Sequence, residues 1–537
     1  MDGAADESSP SSESGESSES SEEGVKAFRS RSRFVAWWKD GSSFLLVRAA
    51  ILRLLGLVYF VAFVSTIRQG PALIGEHGLL PARYWLDDIA RVTGSRFDGF
   101  IRLPSLFWID ASDTTIVATC AIGAVLAAAV MLGVTNAAVM IALWVIQLSL
   151  HSIGQVFWGY GWEIQLLETG MLAAFLCPLR TWRPFASPPP TSVIWLMRWL
   201  VVRIMLGAGL IKLRGDPCWR DLTCLLYHYE TQPNPSPASW LFHQLPRSAH
   251  MMGAGFNHFV ELGAPLLVVG PRVARRLAGA FFVAFQVVLI VSGNLSFLNW
   301  LTIVPALACF DDALILRLSP KRVRARLAVW MAAAAPSPSR LHAKMAAGFA
   351  VLVGLLSVPV VVNLLSSQQQ MNASFAPLHL VNTYGAFGSV SRVRNEVVLQ
   401  GTRDEEITET TKWEDYELPC KPGDVMRRPC LVSPYHYRLD WQMWFAAMST
   451  YEEEPWIGVL VDKLLRGDRS VAPLFAHDPF PDAPPRFVRA ELYRYELTPR
   501  GTAAWWKRTR VGEYMRPMAK DDPELEIFLR ENRLGPR

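Results

Sequence analysis

The sequence lacks the marks of a cleaved secretory signal. No Lys or Arg precedes Lys26, and residues 1–24 are dominated by Ser, Asp and Glu, so neither the basic start nor the apolar middle of a signal peptide is present. A segment of this composition buries too little apolar surface to offset the conformational entropy lost on ordering. We therefore expect residues 1–40 to form a disordered cytosolic tail, acidic and rich in Ser at first and basic towards its end.

The sequence also lacks the common catalytic motifs. It contains no G-x-S-x-G nucleophile elbow, no P-loop, no H-E-x-x-H and no dinucleotide-binding fingerprint. His228 lies near Glu230 and His258 near Glu261, which allows an acid–base pair, although a His beside a carboxylate is more often structural. We expect no catalytic residue, no cofactor and no metal. The net charge of +5 does not indicate nucleic-acid binding, because the basic residues cluster beside apolar segments.

Long apolar segments, in contrast, are abundant. Hydrophobic residues make up 51% of the chain, with 20 Trp and 27 Phe, and residues 44–364 alternate between apolar runs and short polar connections. A helix needs roughly 20 apolar residues to cross a hydrocarbon core about 30 Å thick. The sequence therefore predicts an integral membrane protein. The candidate spans are residues 44–65, 114–133, 134–150, 160–178, 193–213, 257–271, 277–293, 297–316 and 342–364.

The basic residues predict the orientation of the membrane domain. Cytosolic connections carry an excess of Lys and Arg, and the first span follows a basic stretch that ends at Lys39. With the N-terminus in the cytosol, three further basic connections fall on the same side, and the number of crossings is odd, between five and nine. Loops 66–113 and 214–256 and the C-terminal domain then lie in the lumen. The three connections contain Arg180 and Arg183; Arg272, Arg275 and Arg276; and Arg317, Lys321, Arg322, Arg324 and Arg326.

Residues 367–537 have more charge, more Pro and clearer turn signals than the rest of the chain. Asn395–Thr402 and Arg486–Leu497 are predicted strands, because they are rich in β-branched and aromatic residues. Two amphipathic helices are predicted from the i, i+3, i+4, i+7 spacing of Trp441, Trp444, Phe445 and Met448 and from that of Ile457, Leu460, Val461 and Leu464. The predicted fold class is a multi-pass α-helical membrane domain, residues 41–366, followed by an α+β lumenal C-terminal domain.

Two features fit a lumenal C-terminal domain. Asn372 begins the N-glycosylation sequon Asn-Ala-Ser just past the last candidate span. Cys420 and Cys430 flank a short polar loop, a spacing that suits a disulfide in an oxidising compartment. A second sequon, at Asn294, lies so close to apolar spans that we do not expect it to be glycosylated.

The seven cysteines fall into two groups. Three lie in or beside apolar spans, where they act as small hydrophobic residues: Cys120, Cys177 and Cys309. Four lie in segments predicted to be lumenal: Cys218, Cys224, Cys420 and Cys430. Four cysteines allow three pairings, and closure of local loops favours Cys218–Cys224 and Cys420–Cys430, with free buried thiols as the alternative. A zinc site is less favoured, because neither pair has C-x-x-C spacing and no His-x3–5-His lies beside either pair.

One candidate span carries three polar side chains, Glu163, Gln165 and Glu168. Carboxylates at membrane depth are energetically costly and usually face a partner or a water-filled cavity. Arg203 and Lys212 of the following span are candidate counter-charges. The segment is either a buried polar site for catalysis or proton transfer, or a structural ion pair that joins two helices. The structural interpretation is the commoner one.

A dense polar loop follows the span that ends near Lys212, and it matches no catalytic motif. We interpret it as an exposed, structured surface held at the bilayer, which favours the handling of another protein over the turnover of a metabolite. Residues 214–256, together with the C-terminal domain, are the predicted contact surface. The candidate contact residues in the loop are Trp219, Arg220, Asp221, His228, Tyr229 and Glu230.

Several blocks closely resemble the lipase maturation factor family, and the similarity covers roughly residues 44–515. The blocks are GWEIQLLETGMLAAFLCPL, RIMLGAGLIKLRGDPCWRDLTCLLYHYETQPNP, VLIVSGNLSFLNWLTIVPALACFDD, LVNTYGAFGSV and CLVSPYHYRLDWQMWFAA. The resemblance implies a chaperone-like protein of the endoplasmic reticulum membrane that is not itself an enzyme. It would assist the folding, assembly and secretion of homodimeric secreted lipases of the lipoprotein lipase type. The implied partners are these lipases, membrane lipid and lumenal folding or redox factors.

Two other functional classes are weighed against this one. The membrane part looks distantly like the module of vitamin K-dependent carboxylases, which makes an intramembrane enzyme the alternative, with Glu163, Glu168 or Lys212 as its candidate residues. A transporter would need a repeated half with matching broken helices, and the sequence shows no convincing repeat.

Overall fold

A computed structural model of the protein describes residues 42–179, 181–182, 185–334, 337–532 and 534. The predicted tail, residues 1–40, and two of the basic residues used to predict orientation, Arg180 and Arg183, lie outside the described residues.

The described part of the chain up to Leu365 is helical. Its helices up to the polar loop are α1 (Leu45–Ile74), α2 (Ala82–Thr93), α3 (Arg96–Arg102), α4 (Asp113–Leu132), α5 (Ala137–Ile153), α6 (Gly161–Leu176) and α7 (Thr191–Arg214). The polar loop forms α8 (Pro217–Arg220), α9 (Leu225–Thr231), α10 (Pro237–His243) and the start of α11 (Arg247–His258). The following helices are α12 (Ala264–Leu267), α13 (Arg272–Ser292), α14 (Leu298–Ala306), α15 (Asp312–Leu318), α16 (Lys321–Ala332) and α17 (Arg340–Leu365).

Five of these helices, α1, α4, α7, α13 and α17, are long and apolar enough to cross a membrane. They coincide with the predicted spans 44–65, 114–133, 193–213, 277–293 and 342–364. The predicted spans 134–150 and 297–316 correspond to the shorter apolar helices α5 and α14. The predicted span 160–178 contains α6. The predicted span 257–271 contains a bent helix, in which a π-helical turn, Phe259–Gly263, joins α11 to α12.

Local chemistry explains where the helices begin and end. The side chain of Ser112 accepts a hydrogen bond from Thr115 N at the start of α4, and Asn136 accepts one from Val139 N at the start of α5. These side chains satisfy backbone N–H groups that have no partner within the helix. Gly133 ends α4 with φ at 97°, a left-handed conformation that glycine adopts without strain.

The basic connections meet at one end of the helical bundle. Asp312 accepts hydrogen bonds at 2.7–3.1 Å from the backbone N–H groups of residues 45–47, which begin α1. Its neighbour Asp311 accepts from Arg272 Nε at 3.0 Å and from Arg276 Nη2 at 2.6 Å. A carboxylate is favourable here, because the N-terminus of a helix carries unpaired N–H groups and a partial positive charge.

The C-terminal domain lies at the opposite end of the bundle. Near the C-terminus of α1, Gln69 Nε2 donates to the carbonyl oxygen of His436 at 2.6 Å. Between α13 and α14, Asn294 Nδ2 donates to the carbonyl oxygen of Cys430 at 2.9 Å. The two residues of each contact are 367 and 136 positions apart in sequence, respectively. Long-range tertiary contacts therefore hold the domain against the helices.

The C-terminal domain is built on a four-stranded antiparallel sheet with the order β2-β1-β3-β4. Its strands are β1 (Arg394–Thr402), β2 (Glu414–Asp415), β3 (Phe487–Leu497) and β4 (Trp506–Ala519), and its helices are α18 (Arg438–Ala446), α19 (Trp456–Arg466) and α20 (Pro523–Glu531). The two predicted strands therefore correspond to β1 and β3, and the two predicted helices to α18 and α19. The predicted fold class, helices followed by an α+β domain, is confirmed.

Close packing of α7 against the chain after α17 gives a testable prediction. A Cβ atom on Gly207 would lie far inside contact distance of the carbonyl oxygen of Tyr384, whereas Gly354 in α17 faces open space. We expect Gly207→Ala to lower the free energy of unfolding by about 1–3 kcal/mol, because the backbone must move. Gly354→Ala should be neutral or raise it by about 0.5–1 kcal/mol. Thermal unfolding of the detergent-solubilised protein measures both, and equal shifts for the two variants would contradict the packing described.

Candidate functional site

A cavity of about 540 Å³ lies between the membrane helices and the C-terminal domain. Helices α6, α7, α8, α9, α11, α13 and α14 form its wall on one side, and residues 384–391 with α18 form it on the other. Most of the wall is apolar, with Trp219, Trp441 and Trp444 among its larger side chains. Small-molecule sites in proteins occupy roughly 300–1,000 Å³ and are mostly apolar with a few placed polar groups, so the cavity has the size and character of a binding site.

Among the described residues of the wall, only Lys212 and Glu261 carry a formal charge, and they form a buried ion pair. Lys212 forms an ion pair with Glu261, and its Nζ lies 3.3 Å from Asn257 Oδ1 and 5.0 Å from the centre of the Trp219 ring. Glu261 lies in the π-helical turn after α11 and also accepts from Asn257 Nδ2 at 2.9 Å. The lysine is therefore compensated and sits over an aromatic face, an arrangement that stabilises a buried cation.

The remaining polar groups of the wall are uncharged. Gln165 Nε2 donates to Thr302 Oγ1 at 3.1 Å. Asn299 is 2% exposed, and its Nδ2 has no hydrogen-bond partner among the described residues. Burial, with a smaller contribution from the charge of Lys212, lowers the pKa of His228 to about 4, so this imidazole is neutral at physiological pH.

The wall of the cavity reaches the protein surface at two places. Between α11 and α13, Phe256 and Val288 line the cavity and are also exposed on the outer face of the helices. On the side of the C-terminal domain, Met371, Phe445 and Met448 line it and are exposed. Exposed residues of the cavity wall therefore lie both on the flank of the helical bundle and at its junction with the C-terminal domain.

The predicted polar residues of α6 do not form one site. Gln165 lines the cavity together with Lys212, whereas Glu163 and Glu168 lie outside its wall in fully buried ion pairs. Glu168 pairs with Arg203, as proposed from the sequence, and also accepts from Tyr384 Oη at 2.7 Å. The arrangement matches the structural interpretation, in which charge pairs join neighbouring elements.

Lys212 is not the counter-charge of α6, and this expectation was wrong. Lys212 lies more than two turns beyond Arg203 on α7 and pairs with Glu261. Glu163 pairs with Arg438 of α18, whose Nη2 lies 2.8 Å from Glu163 Oε1. The sequence does carry a weak signal for the first pair, because Glu261 is a lone carboxylate in an apolar run. Nothing in the sequence around Arg438 distinguishes it from a surface arginine.

The polar loop is less exposed than its sequence indicates. Arg220 and Asp221 are exposed, but Trp219, His228 and Tyr229 are buried, which corrects the interpretation of these three as surface residues. Trp219 Nε1 donates to the carbonyl oxygen of Phe387 at 2.7 Å. The loop is covered because the segment after α17 folds back over it, a contact between residues about 170 positions apart.

The possible acid–base pairs of His228 and His258 do not form. Glu230 accepts from the backbone N–H of Leu497 at 2.7 Å, and its nearest imidazole belongs to His243, with 3.7 Å between His243 Nε2 and Glu230 Oε2. His258 Nε2 lies 2.9 Å from the carbonyl oxygen of Trp219. Neither histidine therefore pairs with the carboxylate that lies near it in sequence.

The structure joins Cys218 to Cys224 and Cys420 to Cys430, which are the pairings that local loop closure favours. Their Cα atoms lie 4.8 Å and 5.2 Å apart, within the usual range for disulfides. Asp216 lies beside the first pair, but its carboxylate binds Arg392 at 2.7 Å. With both sulfurs bonded to each other and the carboxylate paired, these groups are not free to bind a metal.

The two sequons have opposite environments. Asn372 is exposed, and its Oδ1 accepts from the backbone N–H of Gly385 at 3.3 Å. Asn294 is buried, and its side chain binds the chain around Cys430 on both its donor and its acceptor side. Only Asn372 therefore offers an accessible amide in the folded protein.

Comparison with known proteins identifies the family. Residues 46–317 match the family described as Lipase maturation factor transmembrane domain, and residues 380–516 match Lipase maturation factor C-terminal domain. The chain belongs to the lipase maturation factor family. The two matched regions contain both walls of the cavity apart from Met371 and Asn372, so the cavity lies at the junction of the two family domains.

Individual relatives extend over most of the chain. Lipase maturation factor 1 of Bos taurus is 47% identical over 507 residues, which are 89% of this chain and 90% of the relative. Lipase maturation factor 1 of Homo sapiens is 46% identical over 516 residues, 91% of this chain and 90% of the relative. Lipase maturation factor 2 of Xenopus laevis is 30% identical and covers 91% of this chain and 84% of the relative. No solved structure matches the chain, and none of these matches supports the carboxylase alternative.

Proposed function

We propose that this protein is a maturation factor for homodimeric secreted lipases of the lipoprotein lipase type, and that it acts as a chaperone in the endoplasmic reticulum membrane. The observation that carries this proposal is the 46–47% identity, over about nine-tenths of the chain, to proteins named Lipase maturation factor 1. Partly folded lipases expose apolar surface and unpaired cysteines, which cause aggregation. A surface held at the membrane protects such a client until its disulfides form and its subunits pair.

The proposed orientation has the N-terminus in the cytosol and residues 367–537 in the lumen. The described basic connections lie at the bundle end opposite the C-terminal domain, as the excess of cytosolic Lys and Arg requires. Both disulfides lie in the part of the molecule that this orientation places in the lumen, where disulfides persist. The boundaries of the membrane domain, residues 41–366, are proposed on the same basis.

The proposed client surface consists of the exposed part of the polar loop and the C-terminal domain. In the loop, the accessible candidates are Arg220 and Asp221, since Trp219, His228 and Tyr229 are buried. Glu230 is half-buried and accepts a hydrogen bond from the backbone of β3, so the proposed client surface does not include it.

The function is tested by co-expressing an otherwise inactive dimeric lipase with this protein in cells that lack their own maturation factor. We expect secreted lipase activity to rise at least tenfold with the full chain and not with a chain lacking residues 367–537. We expect Arg220→Glu to reduce both lipase activity and co-precipitated lipase several-fold. Arg102→Glu, an exposed charge reversal in loop 66–113 and outside the proposed client surface, is the matched control and should leave both unchanged. Unaltered lipase activity with and without the full chain would refute the proposed function.

The orientation is tested at the exposed sequon. We expect Asn372 to carry one N-linked glycan, because its amide is accessible and the proposed lumenal side contains the glycosylation machinery. Endoglycosidase treatment should shift the electrophoretic mobility of the wild-type protein by one glycan. Ser374→Ala, which removes the sequon but keeps Asn372, should migrate like the treated protein. A C-terminus digested by protease in sealed microsomes would contradict the orientation.

A further inference from the structure

The cavity at the domain junction requires an occupant with an apolar body. Its volume of about 540 Å³ is many times the roughly 10–15 Å³ that one water molecule needs. Most of the surface of the wall is apolar, so many water molecules in the cavity would lack the two to four polar partners that each one needs. A volume of this size suits one acyl chain with a small head group.

Exposed wall residues on α11 and α13 point to a mouth between these helices through which such a molecule enters. Val288 lines the cavity and is 42% exposed on α13, a helix long and apolar enough to cross the membrane. Phe256 of α11 lines the opposite side of this mouth and is also exposed. A mouth on the flank of a membrane-spanning helix faces lipid, so a lipid molecule can enter sideways without passing through water.

The charges and hydrogen-bonding groups of the wall define the head group. Glu261 compensates Lys212 and the imidazole of His228 is neutral, so the wall has no net charge to attract an ionised head. The wall does contain an unsatisfied donor, Asn299 Nδ2, which is buried and has no partner in the described part of the chain. Leaving a buried donor without a partner is unfavourable, so a ligand that supplies a neutral oxygen acceptor is favoured.

We propose that the cavity binds one neutral single-chain acyl ester from the bilayer, with its ester carbonyl oxygen accepting a hydrogen bond from Asn299 Nδ2. The acyl chain lies along the apolar wall between α7, α13 and α18. Binding is non-covalent and involves no reaction. This inference goes beyond the proposed function and does not depend on it, because it concerns a ligand of the protein alone.

The test uses the purified full chain in lipid nanodiscs and a monoacylglycerol whose acyl chain carries a diazirine and an alkyne. After illumination, mass spectrometry locates the cross-linked residues. We expect saturable labelling of wall residues of α13, α14 and α18, with unlabelled monooleoylglycerol displacing the probe at least tenfold better than oleic acid does. Labelling restricted to lipid-facing residues of α17, or displacement by oleic acid at equal or lower concentration, would overturn the proposal.

Two neighbouring substitutions on α13 provide a matched comparison. Val288 lines the cavity and Val287 does not, although their exposed fractions are similar at 42% and 47%. Val288→Trp should block the mouth and reduce cross-linking of the wall at least fivefold, whereas Val287→Trp should leave it within twofold of wild type. Both side chains are exposed, so both variants should keep the wild-type thermal unfolding midpoint.

The donor is tested by Asn299→Leu, which keeps the approximate size of the side chain and removes the amide. We expect at least a fivefold loss of probe affinity. Unchanged affinity in Asn299→Leu, or equal labelling of Val287→Trp and Val288→Trp, would refute the assignment. Displacement of the probe by an unfolded lipase but not by monooleoylglycerol would instead show a peptide site, which also overturns the proposal. None of these measurements includes lipase activity, so their failure leaves the proposed function standing.

Discussion

Replacing Glu396 with Gln is expected to unfold the C-terminal domain at physiological temperature. The carboxylate of Glu396 lies between two cations, 2.5 Å from Arg394 Nη2 and in an ion pair with Lys421, and all three side chains are at least 97% buried. Removing one partner of a buried ion pair costs about 3–5 kcal/mol, because the other charge remains without compensation. Here two buried cations lose their shared counter-charge, so the expected loss is at or above the upper end of that range.

The effect should extend beyond the sheet. Arg394 donates to the backbone carbonyl oxygens of Glu230 and Pro233, at 2.8 Å and 2.7 Å, and also to that of Gln232. A displaced Arg394 leaves these acceptors of the polar loop without a partner. We therefore expect Glu396→Gln to expose the polar loop as well, seen as new protease cleavage between residues 214 and 256.

The pH dependence of unfolding gives a second test of the buried triad formed by Glu396, Arg394 and Lys421. Burial lowers the pKa of Lys421 even with Glu396 beside it, and the loss of Glu396 should lower it further. A lysine whose pKa is lower in the folded than in the unfolded state binds fewer protons when folded, so stability rises with pH across the interval between the two pKa values. We expect the thermal unfolding midpoint of Glu396→Gln to recover partly as the pH is raised towards 10, which the wild type should not show to the same extent.

A matched control is available on the neighbouring strand. Glu414 of β2 is exposed, and Glu414→Gln should change the free energy of unfolding by no more than about 0.5 kcal/mol. If Glu396→Gln and Glu414→Gln unfold at the same temperature in detergent solution, the buried triad does not support the domain.

Replacing Arg438 with Met is expected to detach the C-terminal domain from the membrane helices. Arg438 is fully buried, with Nη2 lying 2.8 Å from Glu163 Oε1 and Nη1 donating to the carbonyl oxygen of Phe157 at 2.7 Å. Its guanidinium lies 3.8 Å from the centre of the Trp158 ring. The single substitution leaves Glu163 as a buried carboxylate with no counter-charge, to which Gln147 Nε2 donates at 2.7 Å, and we expect this to cost about 3–5 kcal/mol.

A double variant separates the charge from the packing. Arg438→Met with Glu163→Leu removes both members of the pair, and apolar replacement of a buried pair is often neutral or stabilising. We expect it to regain most of the unfolding midpoint lost in Arg438→Met. Arg466→Met, which breaks an exposed pair with Asp462 on α19, is the control and should cost less than about 1 kcal/mol. A double variant no more stable than the single one would show that Arg438 acts through its other contacts.

These two ion-pair groups also show where reasoning from sequence is limited. The length of the apolar runs identified the long helices, and the content of β-branched and aromatic residues identified β1 and β3, because both patterns are local. The partner of Glu163 lies 275 positions away and that of Lys212 lies 49 positions away. No local pattern selects among the many arginines and carboxylates of the chain, and of the two candidates on α7 only Arg203 was a partner of α6, whereas Lys212 was not.

The burial of Trp219 in the polar loop also depends on a contact between distant parts of the chain. A run such as Trp219-Arg220-Asp221 has the composition of a surface loop, and two of its residues are exposed. Trp219 is buried because residues 384–391 cover it after the chain has crossed several further helices. No single segment shows the cavity, since its wall combines residues of eight helices with residues of the connecting chain, 384–391 among them.

The sequence by itself determined that this is a helical membrane protein with an α+β C-terminal domain and that it resembles the lipase maturation factors, because helix length, residue periodicity and motif blocks are properties of short segments. Only the tertiary structure decided which charges pair, which loop residues remain accessible and that a cavity lies at the junction of the two domains. Those features depend on contacts between distant parts of the chain, where burial removes water and makes the choice of partner energetically decisive.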